Sequence, residues 1–270
     1  MSDSLNLVYE TIDRENADKS AATRRQLVAG TAATLGGMGL LGLAENADAR
    51  RATAARHSQD PQELLNVAAT AEVAATIINT LVFENAARLF PNDPVTTRNF
   101  RAAAREELIH YQVLISSAVG ARAITKRIWL PNAILADRAT VLNTVEVGDT
   151  VFINAYLLAT TVFGNRGNGA TARIAAEFMG TEAVHRALAR QSNGKLGNDR
   201  VFMRYTSVED ADSAARGTAG FTRALSHVRF LESRGLGFGK TGAQPGAFYD
   251  FDVVSRRTPD DPGLSTRTPR

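Results

Sequence analysis

The segments "EELIHYQVL" (106–114) and "TEAVHRALA" (181–189) each place a glutamate three residues before a histidine: Glu107 with His110, and Glu182 with His185. The chain has four histidines, so half of them lie in this one arrangement. Both segments lack proline and glycine and read as helical. On a helix, a spacing of three puts both side chains on one face, a turn apart. If such faces turn inward, several carboxylates share one interior. Without a compensating cation they would be protonated or would unfold the protein. The chain must therefore form helices that either leave these faces in water or close them around positive charge.

The surrounding pattern supplies the helices. Asp60-Pro61-Gln62-Glu63 combines an N-cap acid, proline at the first helical position and glutamate three after the cap. An alanine-rich run follows to Phe90, and "PNDP" (91–94) breaks it. Asp93-Pro94 starts a second helix that is expected to run to Gly120. "ARAITKRIWLP" (121–131) is β-branched and ends in proline, so it reads as an extended connector. Asp137 caps a third helix to Phe163, and "GNRGNG" (164–169) forms the turn to a fourth, about 170–191. A fifth helix is expected at about 208–233. The glycine-rich tail reads as irregular, and about 256–270 as disordered. Short turns make two antiparallel hairpins, and the longer connector lets the third helix run parallel to the second. The expected fold is all-α: a four-helix bundle over 60–191 with one crossover, and a C-terminal extension over 192–270.

In an antiparallel hairpin, residues at one height are equidistant from the turn. The midpoint of 72 and 107 is 89.5, beside Pro91, and that of 146 and 182 is 164, on Gly164. Glu72, Glu107, Glu146 and Glu182 are thus expected at one level, with His110 and His185 beside them. Glu63 and Glu84 are other acids of the first helix, but they fail this test. Four glutamates and two histidines match the ligand inventory of a dinuclear carboxylate site, and oxygen with imidazole suits iron, manganese or zinc. Asn143 and Asp149, each three residues from Glu146, are candidates to support the ligands from outside. Tyr111 and Tyr156 are either redox-active neighbours or packing residues. His57 and His227 lack partners at ligand spacing and read as surface residues. Trp129 is expected to pack on the bundle. "GFGKTG" (237–242) is not a phosphate loop, because the position five before Gly239 is Arg234 and no strand-then-helix context surrounds it.

On these residues the chain resembles the ferritin-like superfamily, in the bacterial branch related to desiccation-associated proteins. The resemblance covers about 60–191. It implies two divalent transition-metal ions, iron first and manganese second, that react with O2 or peroxide. It also implies that Glu107 and either Glu146 or Glu182 bridge the metals, with Glu72 and the histidines as terminal ligands. The functions it implies are an oxidase-type protein consuming peroxide or oxidising Fe(II), and a manganese catalase-like enzyme. A stress-protective structural protein with a structural metal is the non-enzymatic alternative. Enzymatic activity and assembly into a homo-oligomer are both left open.

Residues 23–44, "TRRQLVAGTAATLGGMGLLGLA", place two arginines before a mildly apolar, glycine-diluted stretch, and Ala47-Asp48-Ala49 is a cleavage candidate. This resembles a twin-arginine export signal over 1–49, cleaved or retained as an anchor. It implies the export machinery as a partner and a periplasmic, cell-surface or secreted protein. The rest of the composition excludes other classes. A net charge of +3 is too small and dispersed for a nucleic-acid interface, and 7% aromatic residues offer few stacking platforms. With no cysteine, thiolate metal sites and disulfides are ruled out.

Overall fold

The computed structural model describes residues 60–198 and 223–264, all within one compact unit, Arg56–Arg270. The expected export signal and the segment 208–222 lie outside the described residues. The protein is mainly helical, with one small three-stranded sheet.

Four long helices carry the core: α1 (Pro61–Glu84), α2 (Pro94–Ile115), α3 (Arg138–Asn165) and α4 (Gly169–Ser192). Each begins on a side-chain cap that satisfies an otherwise orphaned backbone N–H. Asp60 accepts from the Gln62 amide at 3.0 Å, Asp93 from Thr96 at 2.9 Å, Asp137 from Thr140 at 2.9 Å and Asn168 from Thr171 at 3.1 Å. The first helix does not continue to Phe90. Asn85 turns its side chain back onto the Leu81 carbonyl (2.8 Å), and a separate single turn, Ala86–Leu89, follows. The second helix also ends early, at Ile115, where the Ser116 hydroxyl bonds the Val113 carbonyl.

Helices α1 and α2 pack as one hairpin and α3 and α4 as another; α1 also touches α3, and α2 touches α4. Arg138 ties the ends together by donating to Asp93 (2.7 Å) and to the Ser192 carbonyl (2.6 Å). Leu64, Val73, Ile77, Leu158 and Val162 are among the fully buried apolar side chains between the hairpins. By length and hydropathy α1 and α3 would suit a membrane, but most of each apolar window is buried inside the protein.

The connector does contain an extended segment, β1 (Arg127–Pro131), and it is the centre of a sheet. Its neighbours, β2 (Gly237–Phe238) and β3 (Gly246–Asp250), come from the tail that reads as irregular in sequence. Trp129 packs within this sheet, edge-on to Phe248, and donates to the Gln244 carbonyl at 3.1 Å. The glycines there serve close approach: a Cβ on Gly242 would fall 2.1 Å from the Gly235 carbonyl oxygen, and one on Gly246 2.2 Å from that of Leu130. Helix α5 spans Ala224–Ser233. The end of the chain is structured further than its composition suggests. After Phe251–Val254, Arg257 bonds Glu84 at 2.7 Å, and the Asp260 carbonyl accepts from Arg101 at 2.8 Å.

Candidate metal centre

All four long helices deliver polar side chains to one buried level. Helix α1 contributes Glu72, α2 contributes Glu107 and His110, α3 contributes Asp149, and α4 contributes Glu182 and His185. Glu72 and Glu182 have no exposed surface and Glu107 has 1%. His110 Nδ1 lies 3.3 Å from Glu182, 3.5 Å from Glu107 and 3.6 Å from Glu72. His185 Nδ1 lies 3.2 Å from Glu107 and 3.5 Å from Glu182. Ligand atoms of Glu72, Glu107, His110 and Glu182 all lie within 4.8 Å of one another, and so do those of Asp149, Glu182 and His185. Glu182 belongs to both groups.

A buried polar atom is almost always hydrogen-bonded. Here Glu72 Oε2, Glu107 Oε2, both Glu182 oxygens, Asp149 Oδ2, His110 Nδ1 and His185 Nδ1 have no hydrogen-bond partner. They point at one another across distances too long, or at angles too poor, for hydrogen bonds. The convergence leaves a cation as the missing partner, and oxygen and imidazole donors suit iron, manganese or zinc. The buried Glu and His groups can therefore hold metal ions.

Without metal, the electrostatics are those of crowded acids. Burial, with Glu107 next, pushes the Glu72 carboxyl well above its ordinary value. Burial and then Glu182 do the same to Asp149. Burial also opposes charge on Glu107, but the His110 and His185 rings close beside it outweigh this and hold the carboxyl down. Burial opposes the imidazolium of both histidines. The surrounding carboxylates outweigh it, and His110 and His185 are raised well above the ordinary histidine value. Protons thus stand in for the absent positive charge.

A further set of contacts orients the donors. His185 Nε2 bonds Glu106 at 2.8 Å, which leaves Nδ1 facing the cluster. Asn79 donates to Glu107 at 3.3 Å, and the Tyr156 hydroxyl donates to Glu72. Phe178 stacks on the His110 ring with centroids 4.0 Å apart. Thr76, between Glu72 and Asn79 on α1, also has a buried, unpartnered hydroxyl.

Glu72, Glu107, His110, Glu182 and His185 come together as the sequence suggests, whereas Glu146 does not join them. Glu146 is clamped by Arg190 and by Lys195 (2.6 Å), and Asp149, one turn further along α3, faces the donors instead. The reason is the turn. Helix α3 runs through Gly164 to Asn165, and the reversal is at Gly167, whose φ is 74°. Asp149 has its midpoint with Glu182 at 165.5 and with His185 at 167, beside or on this reversal, whereas the midpoint of Glu146 and Glu182, 164, still lies inside α3. Asn143 is exposed and sits with Glu146, accepting from Lys195 at 2.8 Å. Tyr111 packs against Phe251, away from the ligands' hydrogen bonds, while Tyr156 touches one directly. His227 is buried, not on the surface, and bonds Asn154 at 2.6 Å. His57 lies outside the described residues. Sequence reasoning missed Glu106 and Asn79; the doubled acid 106–107 was the only signal for the former.

No protein-family model, curated protein or solved structure matches this chain.

Proposed function

We propose that the chain is an exported, ferritin-like protein whose four helices enclose a dinuclear transition-metal centre that works on O2 or peroxide. The observation that carries this reading is Glu182, a buried glutamate shared by two donor groups, with both oxygens unpartnered. Glu72, Glu107 and His110 would hold one ion, Asp149 and His185 the other, and Glu182 would bridge them. Topology supports the family. Glu72 contacts Tyr156, while Asn79, later in α1, shares a cavity wall with Asp149, earlier in α3. Helix α1 is therefore antiparallel to α3 as well as to α2, so α2 and α3 run the same way. Residues 116–137 then cross the length of the bundle, the single crossover of ferritin-like folds.

Iron or manganese at such a site supplies two-electron exchange with O2 or peroxide. The chain supplies the setting. Glu106 fixes the His185 tautomer, Tyr156 and Asn79 hold one oxygen each of Glu72 and Glu107, and Phe178 sets the His110 ring plane. The apolar helices exclude bulk water, which strengthens every charge interaction at the centre. The paired Arg24-Arg25 before an apolar run supports export.

The test is elemental analysis of the natively exported protein, followed by O2 and peroxide consumption. About two iron or manganese ions per chain are expected. Glu182→Ala should lose both, and full metal retention by that variant would overturn the site. A fully loaded protein that turns over neither oxidant would be left with a structural metal.

A further inference from the structure

We propose that the cavity beside the centre binds a neutral, largely apolar molecule carrying one hydroxyl, of the alcohol or phenol class, and that this hydroxyl donates to Asn79 Oδ1. What the bound molecule would undergo rests on the metal reading above; the binding itself does not.

A cavity of about 350 Å³ lies along α1 and α3, reaching the end of α5. A dry apolar cavity of about 150 Å³ already holds benzene, so this one has room for one or two rings. Ile78, Ile134, Val147, Phe152 and Leu236 form much of its wall. Small-molecule pockets are of this kind, apolar with a few placed polar groups.

One polar group on that wall is unused. Asn79 is 5% exposed and lines the cavity. Its amide nitrogen donates to Glu107 at 3.3 Å, while its Oδ1 has no hydrogen-bond partner. A carboxylate only accepts, so Glu107 holds the nitrogen end of the amide and turns the oxygen elsewhere. Among the described residues, the other unpartnered buried atom on the wall is Asp149 Oδ2, which belongs to the donor cluster. A metal there accounts for Asp149 and leaves Asn79 unexplained.

An uncharged acceptor in apolar surroundings selects what it takes. A hydroxyl satisfies it, and hydrocarbon fills the remaining space. An ion would be buried against a neutral amide, which cannot offset its lost hydration. The ionic side chains of the wall stand elsewhere: Asp149 is turned to the donor cluster, and Arg234 is exposed, stacked 4.9 Å over the Phe230 ring.

Gly148 is a second, independent observation. Glycine is a poor choice for a helix interior. A Cβ built on Gly148 meets nothing within 4 Å, so no close approach of the protein to itself requires glycine there. It lines the cavity, and what the missing side chain preserves is the open space.

The experiment is equilibrium dialysis of the full chain, metal-free and metal-loaded, against 2-naphthol at about pH 7, where a phenol is neutral. Saturable binding of one 2-naphthol per chain is expected in both forms. Naphthalene, which lacks the hydroxyl, should bind about tenfold more weakly, because it leaves a buried acceptor unsatisfied. Asn79→Leu keeps the bulk and removes the acceptor, so it should abolish that preference without weakening naphthalene. Gly148→Leu fills the cavity and favours the helix. It should abolish binding of both while circular dichroism and the thermal melt match or exceed the parent. 2-Naphthoate, with a charged head on the same rings, should not bind. The proposal is overturned if the parent does not saturate with 2-naphthol, as when another part of the chain fills the cavity. It is also overturned if the parent binds naphthalene or 2-naphthoate as tightly as 2-naphthol. Folded Asn79→Leu that keeps the preference, or folded Gly148→Leu that binds as the parent does, would overturn it equally. A parent that binds 2-naphthol but takes up no metal would sink the metal reading and leave the pocket standing. One that loads metal but ignores 2-naphthol would do the reverse.

Discussion

Glu146 and Asp149 sit one helical turn apart on α3, and the structure gives them opposite roles. Glu146 neutralises Arg190 and Lys195, with side-chain exposures of 10%, 13% and 39%. Glu146→Ala would leave these cations without their acid, in a setting between a surface pair, worth about 0–1 kcal/mol, and a buried one, where removing a partner costs about 3–5 kcal/mol. A loss of about 2–3 kcal/mol follows. At about 2–4 °C per kcal/mol for a unit of this size, the melting temperature should fall by roughly 4–12 °C. Metal content should not change. Asp149→Asn should act the other way. It removes a carboxyl whose charge burial disfavours, so the metal-free protein should melt higher above neutral pH, while metal uptake drops. The assay is a thermal melt with and without chelator, alongside elemental analysis of each variant. If Glu146→Ala strips the metal and Asp149→Asn keeps it, the register of α3 in the centre is wrong.

The metal-free protein should lose stability as pH rises from about 6 to about 8. Glu72, Asp149, His110 and His185 are all raised in the fold, so the native state holds more protons than the unfolded chain. Their stabilisation is complete below the unfolded values and is lost as pH climbs through the folded ones. Glu107 is lowered and acts oppositely, but only as pH falls below its ordinary 4.5. A melting temperature flat or rising from pH 6 to pH 8 would contradict crowded, buried acids. Metal affinity should instead rise over that window, because ligands must shed protons to bind; titration with Fe(II) or Mn(II) at the two pH values checks this. Glu106→Gln should weaken metal binding about 10–100-fold, as loss of a histidine's outer partner does, while the helical content seen by circular dichroism is unchanged. Arg24→Lys with Arg25→Lys should stop export, and fractionation of the tagged protein would show equal external levels if the signal reading is wrong.

Local chemistry alone determined a good deal of this protein. The caps at Asp60, Asp93 and Asp137 are satisfied within three residues of themselves, so they are legible in a linear string, whereas Asn168 reads only as part of a turn. The Glu-x-x-His faces are legible for the same reason, since helical spacing fixes which side chains share a turn. Four of the six converging donors follow from those faces, and Glu72 from its distance to the turn at Pro91. The sixth needed the turn between α3 and α4 to be placed within one helical turn. Glycine at 164 and glycine at 167 look alike in sequence, but only Gly167 takes positive φ, and moving the midpoint with Glu182 from 164 to 165.5 exchanges Glu146 for Asp149. The sheet was invisible for a different reason. Its strands β1 and β3 lie more than a hundred residues apart, and β2 is two residues long, so no local pattern announces the pairing. Likewise Glu106 on His185, Tyr156 on Glu72 and Arg190 on Glu146 are contacts between helices. Which face of an amphipathic helix turns inward can be read from its own residues; what it meets there depends on the rotation and height of its neighbours, which only packing decides.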